Sequence, residues 1–204
     1  GMAPHKLPYA HDHTAMDFLQ AITVIKPHVL IGATGAPGVF TRDIVVAMAG
    51  HCERPTIFAL SNPTSRAEAT AEQVYKWSEG AALFASGSPF ESVELFGRKF
   101  TPGQGNNAYI FPGVGLGVLA CEASTITDQM ILVAAQALAA QVSDDDLEHG
   151  TLYPPLADIR AISKAIAIAV AECAFSQNVA EIEQPVNLAE HVEALMYHPV
   201  YGKG

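Results

Sequence analysis

Charge is scarce in this sequence and lopsided where it occurs. Of 204 residues 16% are charged, with 11 Lys plus Arg against 21 Asp plus Glu and a formal net charge of -10. An acidic chain without a basic run is a poor partner for a phosphate backbone, so nucleic acid is excluded as a ligand. Cysteine is scarcer. Cys52, Cys121 and Cys173 are odd in number, widely spaced and form no C-x-x-C pair. That excludes a disulfide framework and a zinc site and points to a reducing compartment, the cytoplasm. Long apolar runs are missing too. The uncharged stretch from Thr101 to Cys121 is broken by glycines, Pro102, Pro112 and an Asn pair, so no membrane span is expected. There is no G-x-S-x-G, no Walker sequence and no Cys–His signature. No cationic and apolar leader follows Gly1-Met2, which reads as a tag scar before a cloned start.

Two features that resemble metal sites also fall short. His11-Asp-His13 has polar neighbours and reads as a solvated turn. Asp144-Asp-Asp146 reads as the acidic first turn of a helix, because adjacent helical residues point in different directions. The C-terminal segment from Met196 reads either as a docking tail or as a frayed end.

What the sequence has in quantity is apolar surface. Half of it is hydrophobic and alanine is abundant, enough for a sizeable core in one large domain or two small ones. Three short apolar runs, 28–33, 56–60 and 82–86, each end in a turn signal. They read as parallel strands buried on both faces. Helical spacing lies around them at 17–26, 41–50 and 67–77, the last preceded by Ser65-Arg-Ala-Glu68 with the spacing of a capping box. This order predicts an α/β fold, a partial, Rossmann-like doubly wound parallel sheet over about 14–90. Residues 93–100 read as a hairpin and 103–107 as a loop. Several C-terminal helices then occupy about 112–198, at 112–123, 127–142, 158–175 and 187–197.

Four stretches have the makings of a site. Gly32, Ala33, Thr34 and Gly35 stand between a strand and the helix from Thr41. Glycine admits a ligand close to the backbone, and a helix N-terminus offers free N–H groups. The spacing is not G-x-G-x-x-G, so a turn that binds nothing is the competing reading. Ser61-Asn62-Pro63 follows a strand, where open α/β sheets carry ligand loops, and a neutral amide can hold a carboxylate. An Asn-Pro turn that merely starts a helix fits as well. Asn106 and Asn107 precede the apolar run 108–111, as the wet rim of a core or as an exposed loop. Residues 85–90 form a further polar turn that shapes the same crevice.

These stretches together closely resemble one family, the malic enzymes. Arg54-Pro-Thr-Ile-Phe-Ala-Leu-Ser-Asn-Pro-Thr64 carries the resemblance, with Phe84-Ala-Ser-Gly-Ser-Pro-Phe90, Pro102-Gly-Gln-Gly-Asn-Asn-Ala-Tyr-Ile-Phe-Pro-Gly113 and Leu152-Tyr-Pro-Pro-Leu156. Their order and spacing match as well, from Tyr9-Ala-His-Asp-His13 to the tail. The resemblance implies the C-terminal portion of an NAD(P)-binding domain, spanning residues 1–204. The activity implied is oxidation and decarboxylation of malate to pyruvate and carbon dioxide, with NAD or NADP as oxidant and Mg2+ or Mn2+ as metal. It further implies that Asn62, Asn106 and Asn107 bind substrate. Gly32, Ala33, Thr34, Gly35, Ser61 and Asn62 would line the cofactor. Lys6, three residues before Tyr9, resembles the lysine of NADP-preferring forms, although a solvated lysine fits its place equally.

The resemblance also defines what is missing. The family's tyrosine and lysine acid–base pair, acidic metal ligands, substrate arginine and first glycine-rich loop have no counterpart here. The expectation is that this polypeptide alone is inactive, with no catalytic residue and no metal ligand of its own. In the full enzyme the resemblance implies a homo-oligomer, a dimer or tetramer. Two rivals remain: a malolactic-type decarboxylase yielding lactate, and a non-catalytic nucleotide-binding or assembly module.

Overall fold

A computed structural model describes residues 3–197. Gly1-Met2 and most of the C-terminal tail lie outside the described residues. The three apolar runs form strands β1 (Val29–Gly32), β2 (Thr56–Ala59) and β3 (Leu83–Ser86). They pair in parallel in that order, with Leu30 opposite Ile57 and Ile57 opposite Phe84. A hairpin follows, β4 (Val93–Leu95) and β5 (Arg98–Phe100). Phe96 and Gly97 supply its turn, both at positive φ (53° and 70°), as a two-residue hairpin that preserves strand twist requires. The segment read as a loop contains one more strand, β6 (Gly103–Gln104), parallel to β3. Two residues with glycine first carry no strand signal of their own, and β6 exists because β3 offers it a partner.

Helices α1 (Phe18–Ile25), α2 (Arg42–His51) and α3 (Ala71–Trp77) cover one face of the sheet. Ile22, Ile44, Val45, Met48, Val74 and Tyr75 pack there on Leu30, Ile57 and Phe84. Asp17 caps α1 in a reciprocal capping box with Gln20. The box expected at Ser65 and Glu68 does not form. Residues 64–66 make a 310 turn, and Thr70 with Gln73 caps α3 instead. Glu68 is fully buried and spent on other partners.

The helical half consists of α4 (Phe111–Cys121), α5 (Asp128–Ala139), α6 (Asp144–Glu148), α7 (Ile159–Ser176) and α8 (Leu188–Leu195). Pro112 sits in the first turn of α4, where its missing N–H costs nothing. Asp144 to Asp146 do form a helical first turn, capped by Ser143. The centre is the contact of α4 with α7. A Cβ on Gly113 would fall 2.6 Å from Cβ of Ile166, and one on Gly117 would fall 2.7 Å from the carbonyl of Ala167. Only glycine allows so close an approach.

The strands differ from expectation on their second face. Leu30 and Gly32 are buried, but Val29 is 49% and Ile31 61% exposed. Across from β1 and β2, Ala135, Leu138 and Ala139 of α5 stand off and leave a groove of roughly 590 Å³ floored by Val29, Thr56 and Phe58. An apolar run therefore meant one packed face plus an apolar groove floor, which sequence pattern alone does not separate from full burial.

Candidate functional site

In an open α/β sheet the strand carboxyl ends are where ligand loops gather. Here those ends carry the turns after β1, β2, β3 and β6. Leu60 N–H donates to the carbonyl of Gly32, Gly87 N–H to that of Ala59, and Gly105 N–H to that of Ser86. The parallel ladder thus continues past the strands and holds the four turns in register.

Side chains tie the turns further. Glu68 lies between the first two. Its Oε1 accepts from Thr34 N–H (2.8 Å), Thr34 Oγ1 (2.9 Å) and Ser61 Oγ (2.5 Å), and its Oε2 from Ser61 N–H (3.3 Å). Ser61 Oγ accepts in turn from Gly35 N–H at 2.9 Å. Burial pushes the Glu68 carboxyl up, but the hydrogen bonds from Ser61 and Thr34 outweigh it and hold it below its ordinary value of 4.5. Gly32 has no room for a side chain, because a Cβ would lie 2.7 Å from both Glu68 and Phe40. Gly35 and Gly38, at φ of 66° and 72°, turn the chain into α2.

The second and third turns meet at Asn62 and Ser88, where Ser88 Oγ donates to Asn62 Oδ1 at 2.5 Å. The Asn62 amide group then has its NH2 left to donate to a ligand. Gly87 leaves no space between them: a Cβ would strike the Leu60 carbonyl. Gln104 Nε2 donates to the Gly87 carbonyl at 3.3 Å and brings in the turn after β6. There Asn106 Oδ1 caps a 310 turn through Ala108 N–H at 2.9 Å. Asn106 and Asn107 are exposed and edge the apolar groove.

The structure therefore brings together Gly32, Ala33, Thr34, Gly35, Ser61 and Asn62 as one hydrogen-bonded wall. Asn106 and Asn107 sit one strand further on, linked through Gln104 and Gly87. Lys6 is exposed on a 310 turn, Pro4–Tyr9, that buries none of its residues. Glu68 is the residue that sequence reasoning missed. Its spacing from Ser65 fits a cap, which the structure does not form. The signal overlooked was an acidic side chain between Ala67 and Ala69 in an otherwise small, apolar step. Among the described residues, no group of three or more His, Cys, Asp or Glu is placed to hold a metal ion. None of the described helices is long and apolar enough to cross a membrane.

The chain is similar to known proteins over nearly its whole length. The family described as "Malic enzyme, NAD binding domain" matches residues 1–175. An NADP-dependent malic enzyme of Vitis vinifera is 50% identical over 198 residues, which cover 96% of this chain and 34% of that protein. A chloroplastic NADP-dependent malic enzyme of Zea mays is 48% identical over 202 residues, 98% of this chain and 32% of that one. The crystal structure of a malic enzyme from Pyrococcus horikoshii superposes with a TM-score of 0.63 at 27% identity, over 87% of this chain and 36% of that chain. The chain spans about a third of the length of the relatives it matches.

Proposed function

The chain belongs to the malic enzyme family and forms part of its NAD-binding domain, and from this premise we propose that it supplies one wall of the site in which malate is oxidised by NADP. The observation that carries the reading is the linked set of turns at the strand ends, through Glu68, Ser61, Asn62, Ser88 and Gln104. They present the Asn62, Asn106 and Asn107 amides and the turn backbone at the strand ends. Asn62, Asn106 and Asn107 hold the substrate carboxylate by N–H donation. Neutral donors fix that group without placing a competing charge beside the carbon that loses hydride. Gly32 to Gly35, Ser61 and Asn62 line the cofactor, whose nicotinamide, when bound, accepts the hydride.

NADP is preferred to NAD in this reading because the similar relatives are named for it; Lys6 is the proposed cation for the 2′-phosphate. The described residues offer no donor set for Mg2+ or Mn2+, so no step is assigned to metal ligands of this chain. The described chain binds and orients; it takes no proton, and by itself it turns over no malate. We place it in the cytoplasm, as its unpaired cysteines suggest, although the maize relative is named chloroplastic. Its working form is a homo-oligomer, a dimer or tetramer.

The test is a hybrid enzyme. Residues 3–197 replace the aligned third of the Vitis vinifera protein, and malate-dependent NADP reduction and pyruvate are measured. The hybrid is expected to be active, and Asn62→Ala in it to raise the KM for malate. Activity of the 204-residue chain alone, or lactate as the product of the hybrid, overturns the reading.

A further inference from the structure

Glu68 is a buried carboxylate in a place where a helix cap would have sufficed. It is 0% exposed, lies on no regular element, and collects four donors from two separate turns. Burying a charge is costly unless it is thoroughly hydrogen-bonded, so retaining one in a linker between two turns calls for a purpose. Two consequences follow. The N–H of Thr34 is used by Glu68, and the N–H of Gly35 by Ser61. The first amides of the glycine turn are therefore not available to an anion, and a fixed negative charge sits directly beneath them. A phosphate is poorly received there, whereas a cationic or neutral ring is not. In addition, Ser61 is held through both its N–H and its Oγ, which anchors the backbone that leads into Asn62, whose Oδ1 accepts from Ser88. The exposed guanidinium of Arg66 donates to the Gly35 carbonyl at 3.4 Å and so lies against the turn.

We propose that Glu68 is a positioning residue that clamps the glycine turn to the Ser61-Asn62 turn and, through its fixed charge, reserves this part of the crevice for the cationic nicotinamide end of the dinucleotide. The proposal rests on the dinucleotide reading above and adds to it a residue and a charge preference. Glu68 touches neither cofactor nor substrate; it acts through Thr34, Gly35 and Ser61.

The experiment compares the hybrid enzyme described above with its Glu68→Gln and Glu68→Asp variants, each first checked for an unchanged circular dichroism spectrum. Hydrogen exchange at the Thr34 and Gly35 amides reports the clamp without any ligand. Binding of NADP+, NADPH and 2′,5′-ADP reports the charge preference. Glu68→Gln is expected to speed exchange at both amides and to weaken NADP+ by about tenfold, the size of one lost charge-assisted hydrogen bond. NADPH should be weakened less and 2′,5′-ADP not at all. Glu68→Asp, which keeps the charge and shortens the reach, should recover the NADP+ to NADPH ratio more than the exchange protection. A purely structural Glu68 would weaken all three ligands alike, and that result overturns the proposal, as does equal binding in all variants. If the hybrid with Glu68 intact takes up none of the three, the dinucleotide reading falls with it, and the exchange data still tell whether the clamp exists.

Discussion

The two halves of the molecule are finished to different degrees. The helical half is closed at its centre, although Leu119 and Leu132 stand exposed on its outside: α4, α5, α7 and α8 surround Ile162, Ile166, Val170 and Val192, all 1% exposed or less. The α/β half is sealed on one face only. Its packed face buries Ile57, Phe84 and Tyr75 completely, while on the other face Val29, in the floor of the groove, and Ile31 of β1 are exposed. The site residues collect along the boundary, at the strand ends of the open half. Rigid packing on one side and unfilled apolar space on the other is the arrangement of a wall built to hold turns in register rather than of a closed core.

The largest effect should come from breaking the sealed half. Ile166 is fully buried and packs against Gly113 of α4. Ile166→Ala is expected to cost about 2–5 kcal/mol, through lost transfer energy and a cavity the close helices cannot collapse. Urea denaturation followed by circular dichroism measures it. A cost below about 1 kcal/mol would mean that the α4–α7 contact is loose and the contrast between the halves is wrong.

Next is the same contact from its other side. Gly113→Ala places a methyl 2.6 Å from Cβ of Ile166 and 2.9 Å from the Ser163 carbonyl. Alanine gains helix propensity over glycine by at most about 1 kcal/mol. Overpacking should exceed that gain, for a net loss of about 1–2 kcal/mol. Gly115 of the same helix has nothing within 4 Å of its Cβ position. Gly115→Ala is therefore the control, expected to stabilise, and the pair must move Tm in opposite directions.

Much of this architecture is legible in the sequence, and the losses have specific causes. The first three strands, the hairpin and the long helices are all carried by local signals: apolar runs, a Phe-Gly turn, i, i+3 and i, i+4 spacing, caps. The helical spacing from residue 17 locates α1, and the acidic run at Asp144 marks a first helical turn. β6 was not legible because a two-residue strand is created by its neighbour. Glu68 was misread because capping spacing is a local rule, and burial against Thr34, more than thirty residues away in the chain, overrode it. The open face of β1 was misread because an apolar run does not say how many of its faces are covered. Among the site residues, the turns themselves followed from their position after strands. The hydrogen bonds that join Asn62 to Ser88 and Gln104 to Gly87 could come only from the fold.

Acid offers a milder way to separate the halves. Glu68 has a depressed pKa in the folded chain, so the stability it contributes is present above its ordinary value of 4.5 and is lost as pH falls through the lower folded value. Below pH 4.5, hydrogen exchange in the peptide around residues 30–40 is therefore expected to accelerate before that in α7. The α7 helix buries no carboxylate in its centre, and its buried residues are apolar apart from Ser163. Exchange that accelerates in both halves together would place the acid sensitivity elsewhere than at Glu68.

The smallest effect is the most direct probe of the open face. Ile31 is 61% exposed, so Ile31→Ser removes little buried area and should change stability by no more than about 0.5 kcal/mol. Ile57 on the adjoining strand, opposite Leu30, faces the packed side at 0% exposure. Ile57→Val, a far gentler change, should nonetheless cost about 0.5–1.5 kcal/mol. Two isoleucines on adjacent strands of one sheet are thus expected to respond in inverse order to the severity of their substitutions. Should Ile31→Ser prove the costlier, β1 is covered in solution. A loss that grows with protein concentration would identify the cover as a second copy of the chain, since mass action then links association to folding.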